Sequence, residues 1–188
     1  MNEKESYADI SPTAAEEDKS GGSGEIADSG PDSEAKAHAD NIFAGFRCED
    51  MDGTMHSSDE FAGAKVTLIN IWSTFCGPCV EEMPDLDKLS KDYSDKGLQV
   101  FGVCADLWRR GKKSEDKADE ARTILEGCQV TYPVLFPDEQ LQQKLDDNIF
   151  TYPTTYLIDE NGEVLTVIQG SKSLEKFEEL INSFGIIS

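Results

Sequence analysis

The chain of 188 residues carries 38 acidic against 17 basic side chains, a formal net charge of −21, and a surface that negative repels a polyanion, which excludes a nucleic-acid binder. No apolar run reaches the ~18 residues of a membrane span, and five cysteines are too few, and odd in number, for a disulfide-built scaffold. Only His38 and His56 are available to join those cysteines, so no Cys/His cluster of zinc spacing exists and no metal is expected.

Residues 1–40 are rich in Ser, Gly, Glu, Asp and Ala, contain Gly21-Gly-Ser-Gly24 and hold no aromatic apart from Tyr7. Such a stretch cannot bury enough apolar surface to offset the entropy of ordering it. It predicts a disordered acidic linker over 1–40 and one folded domain over 41–188. The linker has no apolar segment of the kind a signal peptide needs. A signal or anchor, if one exists, is expected outside this chain.

From Asn41 the pattern changes. Arg47–Asp50 and Thr54–His56 flank the turn Met51-Asp-Gly53, which predicts a hairpin. Val66–Trp72 is almost continuously apolar and β-branched, as expected of a strand buried on both faces. Val80, Met83, Leu86, Leu89 and Tyr93 recur at the spacing of one helix face, and Gly97 ends that segment. Leu98–Cys104 reads as the next strand. Ser114 can cap a helix whose inner face is Ala118, Ala121 and Leu125, extending to Cys128. Tyr132–Phe136 reads as a strand, and Asp138 can cap a short helix bearing Leu141 and Leu145. Thr154–Ile158 and Glu163–Gln169 are predicted strands joined by the turn Asp159-Glu-Asn-Gly162. Leu174, Phe177, Leu180, Ile181 and Phe184 form a last amphipathic helix, stopped by Gly185. After the opening hairpin the order is β-α-β-α-β-α-β-β-α. Strands joined by helices imply parallel pairing, and the late hairpin adds an antiparallel edge. The expected fold is an α/β sandwich with a mixed sheet.

The segment Trp72-Ser-Thr-Phe-Cys76-Gly-Pro-Cys79 joins the first buried strand to the first helix. Cys76 stands at the helix entrance, where unpaired N–H groups and the positive end of the dipole favour an anion. The attacking species in disulfide exchange is the thiolate, so this placement raises the reactive fraction at neutral pH. Cys79, three residues on, is close enough to close a small ring with Cys76. Pro78 lacks an N–H where none is needed, and Gly77 leaves room for an approaching backbone. The pattern predicts two steps: Cys76 attacks a partner disulfide, and Cys79 then attacks the Cys76 sulfur and releases the reduced partner.

Through Trp72 and Cys76-Gly-Pro-Cys79 the sequence resembles the thioredoxin superfamily. It is similar in particular to the TlpA/ResA-like extracytoplasmic thiol–disulfide oxidoreductases, over roughly residues 42–186. Supporting stretches are Cys79-Val-Glu-Glu-Met-Pro84, Tyr132-Pro-Val-Leu-Phe-Pro137 and Tyr152-Pro-Thr-Thr-Tyr-Leu-Ile-Asp159 with Asn161-Gly162. The resemblance implies a thioredoxin-like three-layer sandwich with an added N-terminal hairpin, and Pro153 as a cis-proline facing the cysteines. Tyr152, Pro153 and Thr154, with Trp72, Phe75, Gly77 and Pro78, then form the substrate-binding set, the backbone of Tyr152 pairing with an extended substrate segment. Glu82 matches an acidic position of the ResA-like branch and is the candidate proton shuttle for Cys79. Asn70 stands where cytosolic thioredoxins carry a buried aspartate; it cannot titrate, which adds weight to Glu82. Phe75 replaces the commoner Trp and keeps an aromatic.

The resemblance also implies no cofactor beyond the Cys76–Cys79 disulfide. It implies protein substrates with disulfides, among them secreted proteins, apocytochromes or a methionine sulfoxide reductase, and a membrane thiol-transfer protein as electron donor. A monomer held outside the cytoplasm, tethered through the linker, is expected. Two alternatives stand beside this reading. A peroxiredoxin-like peroxidase needs a reactive Cys in a Pro/Thr-bearing loop, and the Cys76 loop has Thr74 but no proline before it. A non-catalytic binding module is disfavoured by the intact pair. Cys104 reads as a small buried hydrophobe or a third redox thiol. Cys128 is expected at the opposite end of the sheet, out of bridging range of Cys104, and Cys48 has no assignment. The basic run Arg109–Lys113 reads as an exposed loop, with docking of an acidic partner as the alternative.

Overall fold

The computed structural model describes residues 41–185, so the linker expected over 1–40 lies outside the described residues. A seven-stranded sheet runs through the domain in the order β2-β1-β7-β4-β3-β8-β9. Its strands are β1 (Arg47–Asp50), β2 (Met55–Ser57), β3 (Val66–Trp72), β4 (Leu98–Cys104), β7 (Val134–Phe136), β8 (Thr154–Asp159) and β9 (Val164–Gln169). A separate two-stranded ribbon is formed by β5 (Trp108–Arg109) and β6 (Lys112–Lys113). The helices are α1 (Gly77–Tyr93), α2 (Glu115–Gly127), α3 (Glu139–Asn148) and α4 (Leu174–Ser183).

β3, β4 and β7 are parallel, as their helical crossovers require. The third crossover behaves differently from expectation. β8 does not join β7 in parallel but runs antiparallel to β3, in register Asn70↔Thr155. α3 therefore carries the chain past two strands before it re-enters the sheet. β8 and β9 then form the expected antiparallel edge. At the other edge β1 lies antiparallel to both β2 and β7.

Every residue of β3 is buried, and alternate side chains feed two separate cores. Val66, Leu68 and Trp72 join Met83, Leu86 and Leu89 of α1, Leu125 of α2 and Phe177 and Ile181 of α4. Ile69 and Ile71 join Phe43, Phe101, Leu141 and Leu145 on the opposite face. Each fully buried Leu, Met or Phe contributes about 1.5–3 kcal/mol from apolar transfer. This two-sided burial makes β3 the rigid platform from whose end the cysteine loop emerges.

α1 contains Pro84, which cannot donate to the Val80 carbonyl one turn back. The Cys128 thiol reaches that carbonyl instead, with Sγ at 3.8 Å. Cys128 thus sits against the first turn of α1, at the residue that follows Cys79, and not at the far end of the sheet as expected. α2 ends there, so its C-cap residue meets the side of α1. β7 is shorter than predicted and starts at Val134, because Pro133 has no N–H for the ladder.

Candidate active site

β3 ends at Trp72, and four residues later α1 begins with Cys76 as its N-cap. The loop between them is held by a side chain from elsewhere. Asp106, two residues past β4, accepts the Thr74 N–H at 2.9 Å and the Thr74 hydroxyl at 2.7 Å. Lys117 of α2 donates to the same hydroxyl at 2.6 Å and lies 3.4 Å from the Asp106 carboxylate. Burial of Asp106 pushes its pKa up, but the Thr74 donors and Lys117 outweigh that and hold it below the usual carboxylate range.

Cys76 and Cys79 form a disulfide with their Cα atoms 5.3 Å apart. The Cys79 N–H points at the Cys76 sulfur, 3.2 Å away. This is the capping interaction of a helix N-terminus with sulfur in the acceptor role, and the same donor stabilises a thiolate at that place. The two cysteines differ in access: Cys76 is 7 % exposed and Cys79 is 0 %. Phe75, Gly77 and Pro78 around them are exposed, Phe75 at 73 %.

The Tyr152–Pro153 bond is cis. Phe75 and Tyr152 meet edge to face with ring centroids 6.0 Å apart, so the cysteine loop and the proline loop form one continuous surface. Pro153 is buried, and its carbonyl accepts the Gly170 N–H at 2.8 Å, tying the proline loop to the end of β9.

Two further residues of the expected substrate-binding set are, like Pro153, buried. Trp72 is fully buried in the core cluster that also holds Cys76 and Cys79, so a docked chain does not reach its ring. Its place on β3 alternates with Ile71 toward the α1 side, and α1 covers it. Thr154 is 3 % exposed and spends its hydroxyl on the Thr151 carbonyl at 2.7 Å. Both shape the surface from below.

Glu82 lies three residues after Cys79, on the same face of α1, and is 3 % exposed. One carboxylate oxygen accepts the Asn70 amide at 2.8 Å and the other accepts the Lys172 N–H at 3.1 Å. Asn70 is itself fully buried on β3 and donates also to Thr155 of β8 at 3.0 Å. Burial raises the Glu82 pKa more than these two donors lower it, and the carboxyl is pushed up to about 7. It opens on a small cleft lined by Pro78, Glu81, Asp85 and Ser171–Ser173, which connects it to solvent. The neighbouring Glu81 points outward and is exposed.

The structure thus brings together Cys76, Cys79, Phe75, Gly77, Pro78, Tyr152 and Pro153 at one rim, with Glu82 and Asn70 buried behind the helix turn. Sequence reasoning missed Asp106, Lys117 and Thr155, whose contacts to the site span 32, 43 and 85 residues. Cys104 is fully buried, and its thiol donates to Asp106 at 3.4 Å. Burial and the Asp106 charge push this thiol well above its ordinary range, so it stays protonated.

Comparison with known proteins agrees with this geometry. The Redoxin family model matches residues 31–181. Thioredoxin-like protein YneN of Bacillus subtilis is 31 % identical over 137 residues, covering 73 % of this chain and 75 % of that protein. Thiol-disulfide oxidoreductase ResA of Geobacillus kaustophilus is 32 % identical over 138 residues, covering 73 % of each. A thiol:disulfide interchange protein of the thioredoxin family from Chlorobium tepidum shares the fold, with a TM-score of 0.64 at 24 % identity over 76 % of this chain and 94 % of that one. The chain belongs to the Redoxin family and is a TlpA/ResA-like member of the thioredoxin superfamily.

Proposed function

We propose that this thiol–disulfide oxidoreductase works as a reductase of protein disulfides outside the cytoplasm, with Cys76 as nucleophile, Cys79 as resolving thiol and Glu82 as proton acceptor. The observation that carries the reading is the Cys76–Cys79 disulfide on the first turn of α1, with the more accessible cysteine at the N-cap.

In the reduced protein the Cys76 thiolate attacks one sulfur of a partner disulfide. A mixed disulfide forms, the partner's sulfur–sulfur bond breaks, and the partner's second sulfur leaves as a thiolate that takes a proton. Glu82 then accepts the Cys79 proton, and Cys79 attacks the Cys76 sulfur. The Cys76–Cys79 bond closes, and the partner's first sulfur leaves and is protonated. Two electrons and two protons have passed to the partner. A thiol donor, on this reading a membrane thiol-transfer protein, must return them. Phe75 and Tyr152 offer the partner an apolar surface, Gly77 and Pro78 leave its backbone room, and the Tyr152 backbone pairs with it as an added strand. The same reading places the protein outside the cytoplasm, tethered through residues 1–40 and monomeric, with secreted proteins, apocytochromes or a methionine sulfoxide reductase as substrates; the likeness to ResA-type relatives is what supports it.

The test is to trap the intermediate. Cys79→Ala should accumulate a mixed disulfide on Cys76 with its substrate, and Cys76→Ser should abolish insulin-disulfide reduction. Insulin reduction that survives Cys76→Ser defeats the assignment. The direction is tested by the potential, expected below about −220 mV as for reducing thioredoxins; a value near −120 mV reverses it.

A further inference from the structure

Between Asp106 and Glu115 this acidic chain has no acid and four cations: Arg109, Arg110, Lys112 and Lys113. They form the β5–β6 ribbon, whose turn is Arg110-Gly111. All four are exposed, and none lies within salt-bridge distance of a carboxylate among the described residues. Lys88, Lys91, Lys117, Arg122 and Lys176 each pair with an acid; Arg47, Lys65, Lys96, Lys144 and Lys172 have no acid partner among the described residues either, but they are scattered along the chain, whereas four such cations fall within five residues here.

The ribbon's own stability does not explain its residues. Arg109 stands directly opposite Lys112, a like-charge cross-strand pair that weakens a ribbon. Arg110 holds φ at +52°, a conformation that Gly or Asn adopts at lower cost. The ribbon is nevertheless firmly placed. The Trp108 indole N–H donates to the Pro137 carbonyl at 2.8 Å, the Ser114 N–H bonds the Leu107 carbonyl at 2.8 Å, and Lys113 lies over the Phe136 ring. Its root is at the rim of the disulfide: the Ala105 N–H bonds the Trp72 carbonyl, and Asp106 holds Thr74, two residues from Cys76. A cationic arm begins three residues beyond that clamp, at Arg109.

We propose that the Arg109–Lys113 ribbon is a docking arm for an acidic stretch beside the target disulfide of a protein substrate. This rests on the redox reading of Cys76 and Cys79 and adds the charge class of what they act on. The cations neutralise the partner's carboxylates, while Phe75 and Tyr152 take its apolar part. An anionic membrane surface is the weaker occupant. The one large apolar side chain of the ribbon, Trp108, is turned inward onto Pro137, which leaves nothing to insert among lipids. Electrostatic docking of this kind acts mainly on the encounter rate and fades with salt.

The test uses the full chain in its reduced form and three peptides with the same internal disulfide, flanked by glutamates, by lysines or by neutral residues. Rates of disulfide exchange are measured at about 0.01 M and about 1 M salt, where the screening length falls from about 30 to about 3 Å. R110E/K112E should lower the ratio of the Glu-flanked to the Lys-flanked rate at least tenfold at low salt and leave it unmoved at high salt. K65E/K96E makes the same charge change at the opposite end of β3 and β4, and should move the ratio less than threefold. The neutral peptide should react at the same rate with all three proteins. An equal shift of the ratio in both variants means that only bulk charge matters, and overturns the proposal. So does co-sedimentation with phosphatidylserine vesicles that R110E/K112E abolishes while the peptide ratio stays unmoved. Failure of all three peptides to react with any protein defeats the redox reading itself.

Discussion

Glu82→Gln isolates what the buried carboxyl does. Gln keeps the shape of the side chain and one oxygen to accept an N–H donor; it removes the capacity to take a proton and turns the second acceptor, toward Asn70 or Lys172, into a donor, a cost that does not vary with pH. Glu82 is pushed from an ordinary 4.5 up to about 7 because burial disfavours its ion more than the Lys172 N–H and the Asn70 amide favour it. At pH 7 about half of the molecules therefore hold the base form that the proposed proton transfer from Cys79 requires. A well-placed general base contributes about 10²–10⁴-fold. E82Q should accordingly slow release of the reduced peptide by about 10²-fold in rapid-mixing experiments, and should remove the wild type's decline below about pH 7. The alkylation rate of Cys76 should stay within about threefold, because the helix N-terminus and the Cys79 N–H are untouched. Stability gives an independent reading. A carboxyl with a raised folded pKa contributes stability that is fully present below 4.5 and lost as pH rises through about 7. At 1.36 kcal/mol per unit, that loss is of the order of 3 kcal/mol. Urea unfolding of the oxidised proteins should show E82Q gaining on wild type by that order between about pH 4.5 and about pH 8. Release at the wild-type rate with an unmoved pH profile refutes the catalytic role, and a flat stability difference refutes the titration.

Two further perturbations probe the frame. Asp106→Asn takes the charge from the two bonds that hold Thr74, each of the kind worth about 1.5–3 kcal/mol; the unfolding midpoint should fall and the Thr74 amide should exchange faster, measured by hydrogen exchange. His56 lies between Asp50 and Glu60, with both ring nitrogens 3.1 Å from a carboxylate, an arrangement that only the doubly protonated ring satisfies. Burial lowers the His56 pKa, but the two carboxylates outweigh it and the net shift is upward from 6.5. The stability it contributes is thus fully present below 6.5 and lost as pH climbs through the raised value; His56→Gln should flatten that part of the pH–stability curve, and an unchanged slope contradicts the charged state.

Much of the fold is legible because its cores impose patterns. Val66–Trp72 has apolar side chains on both faces because both faces are covered, and Leu98–Cys104 likewise. Asp138 at the start of α3 announces its helix because its side chain accepts the Leu141 N–H; Ser114 marks the start of α2 without making such a bond. The cysteine loop is legible because its chemistry is local: Cys76, Pro78 and Cys79 act within one turn. The β5–β6 ribbon is not, since two-residue strands carry no period and four cations read as solvent-exposed loop. Asp106 is not, since an acid after a strand gives no sign of the loop it will clamp. The inward aim of Trp72 and Thr154 follows from how β3 and β8 alternate against α1 and the proline loop, and residue type does not reveal it.

The pair Asn70 and Glu82 explains why one buried acid is enough. The two side chains touch at 2.8 Å with no water between them, and a second carboxylate at Asn70 would set two like charges there. The donor on β3 and the acceptor on α1 are complementary in either protonation state of the carboxyl, since the amide bonds one oxygen and the Lys172 N–H the other. Ionisation therefore alters the charge without requiring the side chain to move. What changes is its energy, and burial sets that near neutrality, where giving and taking a proton are almost equally easy. Cys79 beside it is fully buried, and a buried thiol does not lose its proton unaided. On the proposed mechanism, the sulfur that meets the partner is activated by backbone at the helix end, whereas the sulfur that closes the cycle depends on a side chain whose affinity for protons the fold has adjusted.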